Sequence, residues 1–241
     1  MTEGIQYLLK GFRLLTKPGV RLYTITPLCI NLLIFLGFIR LAYHYTNIAN
    51  QWFSAHLPQW LQWLDWLLWL VFVLGILFFF VYIFTVIANI IAAPFNGLLS
   101  EKVEEYLLGH TLNNSLSFKE LVALLPKTIA RQLELLFYFL PRAVIILALF
   151  FIPGINLITG MIWFLFSSWM ITIQYLDYPC DLHGLAVKKM AHGMRKSWLT
   201  HMSFGVMINL LSAVPVINLV IMPAAVAGAT ALWVEKHRDC A

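Results

Sequence analysis

The chain has 241 residues, of which 61% are hydrophobic, 15% aromatic and only 11% charged, and its mean hydropathy is +0.82. Soluble domains carry roughly 25% charged residues, so this composition excludes a water-soluble fold. The formal net charge of +5 does not indicate nucleic acid, because the cations flank apolar runs as the positive-inside rule describes.

No Asp, Glu, Lys or Arg occurs in 22–39, 66–100, 143–176 or 202–234. These four stretches predict an all-α integral membrane protein, a single membrane domain over 1–241. Its plan is two long transmembrane helices, two membrane-penetrating helical hairpins and basic amphipathic surface helices. In residues 1–21, Ile5, Leu8, Leu9 and Phe12 share one helical face, with Lys10 and Arg13 off it. This predicts a short helix on the membrane surface, followed by a loop. The first span, 22–43, is preceded by Lys10, Arg13, Lys17 and Arg21 and is closed by no small-x-small site, so it is read as uncleaved. Leu41 to Leu64 contains no Lys or Arg, whereas Trp52, Trp60 and Trp63 supply interfacial aromatics. The loop is therefore expected outside and the N-terminus in the cytoplasm.

The second span is read as 65–98. Its uncharged run, 66–100, would reach about 52 Å as a helix, beyond the ~30 Å hydrocarbon core. It must tilt, protrude or break, and Pro94, Asn96 and Gly97 suggest a break. A cytoplasmic helical segment, 99–142, opens with Glu101, Glu104 and Glu105. Within it "SFKE" (117–120) is a capping box, Leu121, Leu124, Leu125 and Ile129 form an apolar face, and Pro126 predicts a kink.

Two interrupted apolar stretches follow, 143–176 at Pro153-Gly154 and 204–234 at Pro215. They share the echo "IPGINLI" and "VPVINLV". Their first arms, 143–152 and 204–214, are about half as long as a crossing requires, which predicts helical hairpins that dip and return. Between them, 177–203 carries a basic amphipathic helix, with Val187, Met190, Met194 and Trp198 on one face and Lys188, Lys189, Arg195 and Lys196 around it. The tail is 235–241. Returning hairpins keep every basic segment and both termini cytoplasmic; full crossings in pairs do so too. Repeats with broken helices are a transporter pattern.

Catalytic chemistry finds no constellation. No carboxylate sits within a span, where an enzyme of the membrane would need paired acids, and no phosphate-cradling loop, Rossmann fingerprint or zinc motif occurs. Ser167, Ser168 and Thr172 have no nearby His base and read as helix packing. Cys29, Cys180 and Cys240 lack disulfide or metal spacing, and "PCDLH" (179–183) stands alone. The expectation is no enzyme, no metal and no cofactor.

Binding chemistry has more to offer. Non-helical tips at membrane depth demand protein or water around them, so they argue for a polar interior, while Asn156 and Asn218 could simply cap the turns. Asn31, Asn89, Asn96 and Gln174 are interhelical glue or pathway lining. In "KPGVR" (17–21), Pro18 starts a new helix and Gly19 lets the backbone bend. The amides of Gly19, Val20, Arg21 and Leu22 are then expected to be unpaired beside Arg21 and Lys17. That describes either an anion site at a helix N-terminus or a positive-inside anchor near lipid phosphate.

The chain resembles the CysZ family of bacterial sulfate permeases. The resemblance lies in "KPGVR" (17–21), "TVIANIIAAPFNGLLSEKVE" (85–104), "YFLPRA" (138–143), "FIPGIN" (151–156), "WFLFSSWMITIQYLDYP" (163–179) and "IMPAAVAGATALWVE" (221–235). It implies a channel-like sulfate transporter of the bacterial inner membrane, supplying cysteine biosynthesis, with membrane lipid and further copies of itself as partners. It also implies sulfate binding at Gly19, Val20, Arg21 and Leu22, with Leu22 standing where the family has a second arginine and Lys17 able to contribute. A dianion cannot cross bare hydrocarbon, so a polar pathway is required, for which Asn31, Asn89, Asn96, Glu101 and Arg131 are the candidates. The alternative is a non-transporting membrane scaffold or regulatory subunit.

Overall fold

The computed structural model describes residues 2–56, 65–109 and 118–237. Its α-helices are α1 (Thr2–Leu15), α2 (Arg21–His56), α3 (Asp65–Leu108), α4 (Phe118–Leu149), α5 (Asn156–Leu182), α6 (Val187–Met194), α7 (Trp198–Ser212) and α8 (Pro215–Lys236), with a 3-10 turn at Arg195–Ser197. Among the described residues there is no strand. Four helical segments are long and apolar enough to cross a membrane: Arg21–Ala49, Trp66–Ala88, Pro126–Leu149 and Asn156–Leu182.

The chain forms two compact units. One is Thr26–Ala92, the other Met1–Ile25 with Ala93–Ala241. In the first, α2 and α3 meet through aromatic edges: Phe35 on Phe84 and Phe38 on Phe80, both at 5.5 Å between ring centres. Much of their described surface, including Leu33, Phe78 and Tyr82, is uncovered by protein. Such surface is tolerable only against lipid or another apolar partner.

The second unit holds the core. Its centre is α8, where Ala224, Ala225, Ala227, Ala229 and Ala231 are all fully buried. Small residues let neighbouring backbones approach closely. A Cβ added to Gly11 of α1 would stand 2.0 Å from the Ala224 carbonyl oxygen of α8, and one added to Gly205 of α7 would stand 1.9 Å from the Ser168 carbonyl oxygen of α5. The apolar face of α1 meets α7 and α8 through these contacts, burying Leu8 and Leu14; a fully buried leucine contributes about 1.5–3 kcal/mol. Polar ties fix the same helix at its rim. Tyr7 donates to Glu235 at 2.8 Å, Thr200 donates to Glu3 at 2.9 Å, and Lys10 and Lys236 pair with Glu235 and Glu3.

Two local expectations are corrected. No break occurs at Pro94: α3 runs on through it as a helix of 44 residues. A proline removes one helical donor, and the stretch beyond it is held by burial of Leu98, Leu99, Ser100 and Val103. Ser100 also shares a 2.8 Å hydrogen bond with Thr230 of α8. Similarly, 143–152 is no separate arm but belongs to α4, 32 residues long and continuous through Pro126 and Pro141, together with the turn that follows it. Beyond that turn, where Gly154 adopts φ 88°, α5 runs back along α4. Phe139 stacks on Phe166 at 5.4 Å and Arg131 binds Asp177, pairs nearly equidistant from the tip. Ser117 of the capping box, Trp60 and Trp63 lie outside the described residues.

Candidate functional site

The turn between α1 and α2 is closed by its own backbone. The Lys17 amide donates to the Leu14 carbonyl at 3.0 Å, and the amides of Val20 and Arg21 both donate to the Lys17 carbonyl, at 3.2 and 3.1 Å. Gly19 supplies the bend at φ 87°, a conformation that glycine alone adopts without strain. Val20 is 1% exposed and anchors the turn to the core.

This geometry changes the donor set expected from sequence. Val20 and Arg21 spend their amides inside the turn, so an anion there would meet mainly side-chain charge. Arg21 and Lys17 are both exposed, and among the described residues neither pairs with a carboxylate. The Lys17 ammonium lies 5.9 Å from the centre of the Tyr106 ring, a distance at which the π face attracts a cation without neutralising it. Leu22, 68% exposed, adds no charge. Nearby cations are less available: Lys102 is clamped by Glu105 at 2.8 Å and lies over Tyr23.

The remaining candidates are not all brought together. Glu101 and Arg131 line one cleft of about 170 Å³ with Lys127, Asp177, Tyr178 and Asp181, and Asn96 donates to the Tyr178 hydroxyl there at 3.1 Å. Asn31 and Asn89 belong to the other unit. The Asn31 Oδ1 is enclosed with no hydrogen-bond partner among the described residues, and the Asn89 side chain lies outside those described. The N-cap of α5 is Ile155, with no side-chain cap hydrogen bond, and Asn156 is the first helical residue; the side chain of Asn218 is outside the described set.

Electrostatics separate this cleft from the turn. Arg131 spends four of its five N–H donors here: Nε donates to Asp177 Oδ1 at 2.9 Å, Nη2 to the same oxygen at 2.6 Å and to the Leu185 carbonyl at 2.7 Å, and Nη1 to Glu134 at 3.0 Å. Asp181 lies 3.9 Å from its Nε and 3.7 Å from Lys127. Glu101, 7% exposed, has no ion-pair partner among the described residues. Burial pushes its carboxyl above the usual range, partly offset by Lys102. Acids thus outnumber bases around the cleft, and an oxyanion would be repelled from it. Asp177 directly follows the charge-free stretch 143–176. Its pairing with Arg131, 46 positions away, had no local signal.

The family model described as Sulfate transporter CysZ/Etoposide-induced protein 2.4 matches residues 7–223. A Pseudomonas fluorescens (strain SBW25) protein named sulfate transporter CysZ is 48% identical over 235 residues, 98% of this chain and 92% of its own. Its namesake from Pectobacterium atrosepticum is 43% identical over 238 residues, covering 98% and 86%. Another from Pseudomonas aeruginosa (strain LESB58) is 43% identical over 237 residues, covering 98% and 96%.

Proposed function

The chain belongs to the Sulfate transporter CysZ/Etoposide-induced protein 2.4 family, and on that premise we propose that it carries sulfate across a membrane, with Arg21 and Lys17 receiving the anion. The observation that supports this most is a pair of exposed cations, unpaired by carboxylates among the described residues, on a rigid turn that opens a candidate membrane span. A guanidinium presents two parallel donors to a tetrahedral oxyanion, and an ammonium adds a point charge. The Gly19 amide makes no backbone hydrogen bond among the described residues, so it supplements them.

The finer reading is uptake through the bacterial inner membrane, both termini cytoplasmic, in support of cysteine biosynthesis. Returning hairpins would pair with those of further copies to wall a hydrated route, because a dianion in hydrocarbon costs tens of kcal/mol by idealised Born estimates. The α3–α4–α5 cleft stands outside that route, since its surplus of acids opposes an anion.

The test is uptake of labelled sulfate by proteoliposomes, with and without a proton gradient. Flux above that of empty vesicles, abolished or strongly reduced in Arg21→Ala at unchanged thermal stability, is expected. Flux no higher than in empty vesicles would return the protein to the scaffold reading, and flux that ignores the gradient would count against symport.

A further inference from the structure

A second cavity, of about 220 Å³, lies where α6 and the 3-10 turn face the end of α8. Lys189, His192, Lys196, Trp233 and His237 line it, over an apolar floor that includes Leu176 and Met190, and no carboxylate is among the described lining residues. Lys189 and His192 lie three positions apart on α6, and Lys196 follows in the 3-10 turn. Among the described residues neither lysine is paired with an acid. Trp233, only 3% exposed, has an indole N–H with no acceptor among the described residues. Buried donors without partners are rare and costly, and Trp233 is among the residues that line the cavity. Its ring is held between His183, centre 5.7 Å away, and His237, centre 6.2 Å away. His237 is oriented in turn by His201, 3.0 Å away between Nε2 atoms, whose Nδ1 lies 2.8 Å from the Ser197 carbonyl.

We propose that this cavity is a second oxyanion site, in which Lys189 and Lys196 supply charge and the Trp233 indole supplies a fixed hydrogen bond. Among the described lining residues none is acidic, so nothing there favours a cation. The volume falls below the ~300–1,000 Å³ of ordinary small-molecule sites, so the ligand is a small tetrahedral anion, either free or as the phosphate of a lipid headgroup. Two ammonium groups rather than an arginine fork tolerate variation in how that anion sits. The site shares no residue with the α1–α2 turn and does not depend on transport.

The test is amine acylation of the full chain in nanodiscs, read by mass spectrometry, with exposed Lys188 as the internal reference. In neutral-lipid discs, sulfate or inorganic phosphate is expected to slow acylation of Lys189 and Lys196 about tenfold relative to Lys188. Protection found only in phosphatidylglycerol discs without free anion assigns the site to a headgroup. Trp233→Phe should weaken the protection, whereas Arg21→Ala should leave it intact even if sulfate flux is lost. Equal reactivity of all three lysines in every arm overturns the site, and undiminished protection in Trp233→Phe overturns the role given to the indole. A Lys189→Gln/Lys196→Gln variant, altering two exposed side chains, should lose labelled-anion binding at that site without loss of fold.

Discussion

Arg21 and Arg131 show how one residue type takes opposite roles. Arg21 is exposed beside a closed turn, so its guanidinium is open to a ligand. Arg131 is consumed by Asp177, Glu134 and the Leu185 carbonyl. Arg21→Ala should therefore weaken sulfate binding about tenfold or more, measured by equilibrium dialysis, with little change in unfolding temperature. Leu22→Arg should tighten binding, since Leu22 is exposed and occupies the position at which the family resemblance implies a second arginine. Arg131→Ala leaves Asp177 buried and unpaired, which should cost about 3–5 kcal/mol of stability, read from detergent-solubilised unfolding. If Arg131→Ala unfolds like the parent, the ion pair has no structural role.

At the scale of elements, helix contacts in the core depend on the absence of side chains at a few positions. Gly11 allows α1 onto α8 and Gly205 allows α7 onto α5, with backbone oxygen at the place where a Cβ would go. Because backbone cannot swing aside as a side chain can, Gly11→Ala and Gly205→Ala should each force helices apart and lower the unfolding temperature by several degrees. Gly37, where nothing stands within 4 Å of an added Cβ, is the control and should accept alanine without loss. The sequence marked the apolar stripe of α1 and its basic flank. That α7 and α8 cover the stripe depends on close approach at Gly4 and Gly11 of α1 and Gly228 of α8, which no local pattern links.

For the molecule as a whole, acid should destabilise the core. Burial holds His201 near a pKa of about 4, against 6.5 ordinarily, and His237 shifts in the same direction. Below about pH 6.5 the unfolded chain takes up protons that the folded chain refuses, so stability falls as pH drops toward 4 and is unaffected by this pair above 6.5. Glu101 acts oppositely: its raised pKa adds stability as pH falls. Unfolding temperature measured from pH 7.5 to 4 should decline, and His201→Gln should flatten the curve. An unchanged slope in that variant would assign the acid sensitivity elsewhere.

Charge-free runs and flanking cations by themselves determined a helical membrane protein, the long apolar helices and the cations at 17 and 21, because lipid and the positive-inside bias act on composition one segment at a time. The sequence also marked Asn96, Glu101 and Arg131 as polar, but their meaning depended on neighbours. Only the tertiary structure decided that the Val20 and Arg21 amides are spent within their turn, that Arg131 is neutralised by Asp177, and that Trp233 sits buried with no acceptor among the described residues, near two lysines that pair with no described acid. Each of these depends on which groups meet across distant helices, and hydrogen bonds and desolvation are set by those meetings rather than by residue type.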